Sequence, residues 1–106
     1  DIMPGAVGHT LVIPKLEVMR LEDLPETQAI SLMRTLQQVA KAVSAAYDGI
    51  DYNLILNNGV NAGQEVEHVH FHVLPRAEGS TGPFRKHIQY AEGEMQEVGA
   101  KIRNCL

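Results

Sequence analysis

His68-Val69-His70-Phe71-His72-Val73-Leu74 constrains this chain more than any other stretch. Histidine and apolar residues alternate there at strict period two. A β-strand sends successive side chains to opposite faces, so the pattern predicts a strand from about Val66 to Pro75. All three imidazoles would share one face, with the apolar residues packed on the other. On such a strand the rings of His68 and His72 stand about 7 Å from that of His70, two residues at ~3.3 Å each. Three of the chain's five histidines fall in this one segment. Each imidazole can accept or donate a proton, attack an electrophile or bind a metal near neutral pH. Such a row is costly in a core and adds nothing to a solvated face, which points to chemistry.

The remaining elements follow from periodicity and punctuation. Gly8 precedes a β-prone run, His9-Thr10-Leu11-Val12-Ile13, that stops at Pro14, where a ladder donor is lost. Asp23 is placed to cap a helix whose first turn holds Pro25 and Glu26. Ile30, Met33, Leu36, Gln37, Ala40 and Val43 recur at helical spacing, widened by Leu32, Val39 and Ala42. They predict a long helix from about Leu24 to Ala46 or Tyr47, its stripe packed in the core and its end set by Asp48-Gly49. Tyr52-Asn53-Leu54-Ile55-Leu56 reads as a strand. The small, amide-rich stretch after it reads as a tight loop returning into the histidine strand, an antiparallel hairpin. A polar stretch from Arg76 to Phe84 reads as a surface loop, and a last helix should run from about Tyr90 to Asn104. Helices and antiparallel strands segregated in this way make an α+β domain: an antiparallel sheet with one long and one C-terminal helix.

The 106 residues fit one domain, 1–106. Asp1-Ile2-Met3-Pro4-Gly5 reads like the middle of a domain, as though N-terminal strands had preceded it. The net charge of −4 leaves no basic footprint for a nucleic-acid backbone. Small phosphate ligands need only local donors and stay open. No apolar stretch approaches the ~20 residues of a membrane span, and no membrane partner is expected. One cysteine, Cys105, forms no internal disulfide. With no visible signal peptide, the cytoplasm is the default compartment.

Neutral imidazole attacks phosphorus well and leaves well, so it can divide a phosphoryl or nucleotidyl transfer into two easier steps. His70 is the central candidate. A phosphate held over it lies within reach of His68 and His72, one to orient or donate to it and one to support the leaving group. The preceding loop offers donors: the amides of Asn57, Asn58, Asn61 and Gln64, and backbone N–H groups that Gly59 and Gly63 allow to converge on an anion. Donors preset toward charge that builds at phosphorus are the largest single catalytic contribution in many enzymes.

Three stretches carry a family resemblance. Gly8-His9-Thr10-Leu11-Val12-Ile13-Pro14-Lys15 resembles the Gly-His-x-Leu-Val-Ile-Pro-Lys strand of the histidine triad (HIT) superfamily. Asn57-Asn58-Gly59 through Gly63-Gln64 is similar to its phosphate loop, and the alternating histidines to its signature. The resemblance implies an α+β fold with a five-stranded antiparallel sheet, a homodimer, and a cofactor-independent hydrolase or transferase acting at the α-phosphate of a purine nucleotide or nucleotide conjugate. His70 would be the nucleophile, carrying a transient nucleotidyl adduct. His72 would contact the phosphate and assist the leaving group. His68 would brace His70 through its carbonyl and ring, and His9 would hydrogen-bond to the triad. Asn57, Gly63, Gln64 and Glu65 would line the phosphate site, with Asp1 and Ile2 at the ribose and base.

Glu65 stands where many phosphoramidase-type members have serine, so it is expected to point away and contribute backbone alone. Asn57 replaces the glutamine of the branch that cleaves dinucleoside polyphosphates. Pro75-Arg76 leans toward the general bacterial and archaeal HIT-like group. Two rival readings stand beside the enzyme. One is a metal site on the alternating histidines with His9 and Glu65 or Glu67, although Glu67 alternates to the wrong face. The other is a nucleotide- or partner-binding module that keeps the triad without turnover.

Overall fold

The computed structural model describes residues 6–80 and 89–106. Asp1 and Ile2, proposed from the sequence as ribose and base contacts, lie outside the described residues, as does the Phe84–His87 stretch. Three strands, β1 (Thr10–Val12), β2 (Asp51–Leu56) and β3 (Phe71–Arg76), form one antiparallel sheet in the order β1-β3-β2. Two helices, α1 (Glu26–Ala46) and α2 (Glu94–Arg103), complete the α+β architecture.

The histidine segment is the centre of the sheet, but it is less regular than its alternation predicts. The strand begins at Phe71, so only His72 belongs to it, and His68 and His70 precede it in irregular backbone. β3 pairs on one side with β1, where Leu11 faces His72, and on the other with β2, where Ile55 faces His72. β2 and β3 are an antiparallel pair, yet residues 57–70 connect them, a long structured loop in place of the tight turn expected. The donors along that loop bond among themselves and to a neighbouring loop, which extends it beyond hairpin length.

α1 matches its predicted span within two residues at its start. Asp23 does not cap it: Asp23 ends a 3-10 turn, Leu21–Asp23, and Pro25 is the cap residue. A proline there sets φ near −59°, and its carbonyl accepts the N–H groups of Gln28 and Ala29 at 3.0 Å each. At the other end Asp48 takes a φ of 56° and the Gly49 N–H returns to the Ser44 carbonyl at 2.8 Å, closing the last turn as expected. The buried face is Leu32, Leu36, Ala40, Ala42, Val43 and Ala46. Ile30 and Met33, read from spacing as core, are half exposed at 53% and 50%. A stripe this wide shows that one side of the helix is apolar; which part of it is covered depends on where the sheet lies.

That core gathers Val43, Val69 and Val73, all fully buried, with Val12, Leu24 and Ile102. Each full burial of a valine or leucine side chain is worth about 1.5–3 kcal/mol. α2, shorter than the predicted Tyr90–Asn104, contributes Ile102 and Val98. It is tied to the end of α1 by the Lys101 ammonium, 4.6 Å above the Tyr47 ring. Among the described residues no helix is long and apolar enough to cross a membrane.

Candidate active site

Three imidazoles, those of His9, His70 and His72, meet where β1 and β3 lie side by side, and His68 joins them through its backbone carbonyl. His9, one residue before β1, is 2% exposed; His70 and His72 are each 7% exposed. His9 reaches this position from Gly8, whose φ of 85° is left-handed. A Cβ on Gly8 would stand 3.1 Å from both Pro75 Cγ and Tyr47 Cε2, so only glycine lets β1 sit this close to β3 and α1. The Gly8 N–H donates to Tyr90 Oη at 3.1 Å, anchoring the approach to His9 from the C-terminal side of the chain.

His9 Nε2 and His72 Nδ1 are 2.8 Å apart, so one ring donates to the other. His70 and His72 then meet edge to face with ring centroids 4.8 Å apart, closer than the 7 Å that a straight strand imposes. Leaving the strand geometry at His70 is what brings its ring over. His70 Nδ1 lies 2.7 Å from the His68 carbonyl oxygen. A carbonyl accepts only, so Nδ1 carries the proton and Nε2 keeps the lone pair. His68 Nε2 lies 2.8 Å from the Pro14 carbonyl oxygen, and by the same reasoning its proton sits on Nε2. His68 is thus pinned to the end of β1 and offers its own carbonyl to His70. Among the described residues no group of three or more His, Cys, Asp or Glu side chains is arranged to hold a metal ion.

The loop before the histidines is braced from within. Gln64 is 7% exposed; its Oε1 accepts the Gly59 N–H at 2.7 Å and its Nε2 donates to the carbonyls of Met19 (2.7 Å) and Val66 (3.0 Å). Its backbone N–H donates to the Gly59 carbonyl at 3.1 Å, and that of Gly63 to Val60 at 3.1 Å. The donors expected of Gln64, Gly59 and Gly63 are therefore consumed in shaping the loop. Asn58 is tied in through its acceptor, its Oδ1 taking the Leu21 N–H at 2.9 Å, while its Nδ2 donor is not used among the described residues. Among the described residues Asn57 makes no side-chain hydrogen bond, and a Cβ on Gly63 would lie 3.9 Å from its Nδ2. Among the described residues the Asn57 amide is open to a ligand, as are the Asn58 Nδ2 and the Asn61 amide. Glu65 is exposed.

Residues 14–19 have a part in this site that no side chain announces. The Pro14 carbonyl holds His68, the Val18 carbonyl takes the Val69 N–H at 2.7 Å, and the Met19 carbonyl holds Gln64. Backbone acceptors leave no mark in residue type, so sequence could identify these only as a connecting loop.

Comparison with known proteins agrees with this geometry. Residues 1–79 match the HIT domain family. The chain is 36% identical over 104 residues to an uncharacterized HIT-like protein of Methanocaldococcus jannaschii, covering 97% of this chain and 78% of the relative. It is 40% identical over 82 residues to the adenosine 5'-monophosphoramidase of Saccharomyces cerevisiae (77% of this chain, 49% of the relative). It is 37% identical over 76 residues to the bis(5'-adenosyl)-triphosphatase of Dictyostelium discoideum (72% and 51%), so it spans about half the length of these two hydrolases. The crystal structure of a HIT-like protein from Bartonella henselae superposes with a TM-score of 0.85 at 36% identity, covering 100% of this chain and 76% of that one. A matched family over most of its length, close relatives and a shared fold make this chain a member of the HIT domain family.

Proposed function

We propose that this chain hydrolyses purine nucleotide conjugates at the α-phosphate through a nucleotidyl-His70 intermediate, with no cofactor. The observation that carries the reading is the 2.7 Å hydrogen bond from His70 Nδ1–H to the His68 carbonyl. It leaves Nε2 as the nucleophilic nitrogen and sets an acceptor against the proton of a ring that becomes cationic once Nε2 bonds phosphorus. His70 Nε2 attacks the α-phosphorus, the bond from phosphorus to the leaving group breaks, and the leaving group departs with the electron pair and takes a proton from His72. Water then attacks the adduct and gives its proton to His72, and the P–Nε2 bond breaks to restore His70 and release the nucleoside monophosphate. If another hydroxyl or amine replaces water, the same site is a transferase.

His9 orients His72 through their 2.8 Å contact, and His68 braces His70. Asn57 Nδ2 donates to a non-bridging phosphate oxygen, Gly63 keeps that approach clear, and Gln64 holds the loop in shape. Glu65, exposed, contributes backbone alone. Asp1 and Ile2 keep the ribose and base contacts that the family resemblance implies. Relatives named as a phosphoramidase and a dinucleoside triphosphatase support the substrate class.

The same reading includes a homodimer. An apolar groove of about 780 Å³ runs between α1 and β2, lined by Met33, Leu36, Ala40, Tyr52 and Leu54. β2 is an edge of the described sheet, so a second copy would cover both the groove and an open row of backbone groups.

The test is AMP release from adenosine 5'-phosphoramidate and from diadenosine triphosphate. His70→Asn is expected to lower turnover at least about a thousandfold while AMP still binds. Equal activity in the variant would remove His70 as the nucleophile. AMP binding without turnover of any conjugate by the wild type would favour the binding module.

A further inference from the structure

The residues that match the family end at 79, yet a later part of the chain reaches the approach to the histidine site. That part is Tyr90, which is half-buried and stands just before α2. The Glu94 carboxylate accepts the Ala91 N–H at 3.0 Å, and the Glu94 N–H donates to the Ala91 carbonyl at 3.0 Å. A tight turn at the head of α2 therefore follows directly on Tyr90. α2 is itself anchored, with Ile102 in the core at 8% exposure and Val98 packed against it. From this place Tyr90 Oη accepts the Gly8 N–H at 3.1 Å, between residues 82 apart in the chain.

Gly8 immediately precedes His9, and the turn around it has two further hydrogen bonds. The Gly8 carbonyl accepts from Thr10 Oγ1 at 2.9 Å, and the His9 N–H donates to the Ala6 carbonyl at 3.1 Å. Both bonds stay within residues 6–10 and would move with the turn. The bond to Tyr90 ties the turn to a separate element. Without it a partly buried N–H loses its acceptor, and the turn is drawn toward another. The displacement passes along the chain to the site. His9 Nε2 lies 2.8 Å from His72 Nδ1, with ring centroids 5.0 Å apart and ring planes inclined by 39°. A hydrogen bond at one nitrogen fixes the rotation of an imidazole, and that rotation decides where the other nitrogen points.

We infer that Tyr90 is a positioning residue of the histidine site: its hydroxyl holds Gly8, Gly8 sets His9, and His9 turns His72 to the orientation from which it protonates the leaving group. The inference rests on the reading of His72 as the proton donor of the proposed hydrolysis. It concerns proton delivery and not the nucleophile, because His70 takes its orientation from the His68 carbonyl. Asn57, on the loop before the histidines, is likewise outside the series of contacts that starts at Tyr90. The effect of Tyr90 therefore depends on the leaving group. An amine departs only with a proton, whereas para-nitrophenolate departs as the anion.

The test compares the wild type with Tyr90→Phe, which removes one oxygen and keeps the ring, on adenosine 5'-phosphoramidate and on the para-nitrophenyl ester of AMP. Tyr90→Phe is expected to lower kcat for the phosphoramidate by about ten- to a hundredfold, with KM within about twofold and the nitrophenyl ester slowed less than about threefold. A structural role alone would slow both substrates alike. Proton–nitrogen correlation spectra of the histidine rings in the same two proteins read the geometry without turnover. The His9 and His72 signals should move, and that of His68, pinned at Pro14, should stay. Equal slowing of both substrates, unchanged kinetics, or unmoved His9 and His72 signals would overturn the inference. Moved His9 and His72 signals in a protein that turns over neither substrate would uphold the placing of His72 by Tyr90 and remove the hydrolase reading instead.

Discussion

At the scale of single residues, three histidines with the same spacing have three different situations. His68 is pinned through Nε2 to Pro14, His70 donates from Nδ1 to the His68 carbonyl, and His72 is paired with His9. Residue type supplies the imidazole; the partner of one nitrogen decides what the other can do. Gly8 is as decisive as any of them. Gly8→Ala places a Cβ at a φ of 85° and within 3.1 Å of two side-chain atoms. It is expected to cost about 1–3 kcal/mol of stability, read from urea unfolding. Activity should fall beyond what the unfolded fraction explains, because His9 follows directly.

At the scale of elements, the 57–70 loop is a folded piece in which one side chain, Gln64, makes three of the bonds that hold it. Gln64 satisfies the Gly59 N–H and the carbonyls of Met19 and Val66, so it joins this loop to the segment after β1. Gln64→Leu keeps the bulk and removes all three bonds. The buried groups left behind predict a loss of about 1–3 kcal/mol in denaturant unfolding. For a nucleotide conjugate KM should rise more than kcat falls, since Asn57 and Gly63 lose their placement while the histidines, held by β1 and β3, keep theirs. An unchanged KM would mean that the loop holds its shape without this clamp. α1 teaches a related lesson. Its periodicity correctly predicts a helix, but Ile30 and Met33 belong to an uncovered side and Leu32, Leu36 and Val43 to the core.

Across the whole molecule, among the described residues, β3 lies between two strands and buries its middle residues, while β2 is an edge of the sheet. Tyr52 and Leu54 on β2 and Met33 on α1 remain 40–50% exposed around one groove. Leu54→Glu places a charge at the proposed contact between copies. Sedimentation is expected to show a dimer for the wild type and a monomer for Leu54→Glu, with unchanged far-ultraviolet circular dichroism. A wild-type monomer at high concentration would sink the dimer.

The α+β class, the two helices, the three strands and the row of His68, His70 and His72 were legible in the residues alone, while the place of His9 beside them came from the family resemblance. Periodicity and turn chemistry are local properties, and histidines spaced by two have few reasons to recur. The tertiary structure alone decided that the strand starts at Phe71, that His70 swings to within 4.8 Å of His72, and that Gln64 braces the loop while Asn57 stays open. The seating of His68 and the bracing of the loop depend on carbonyls contributed by residues far away in the chain, Pro14 for His68 and Met19 for Gln64. A backbone acceptor is the same in every residue, so only the folded arrangement shows which one is used.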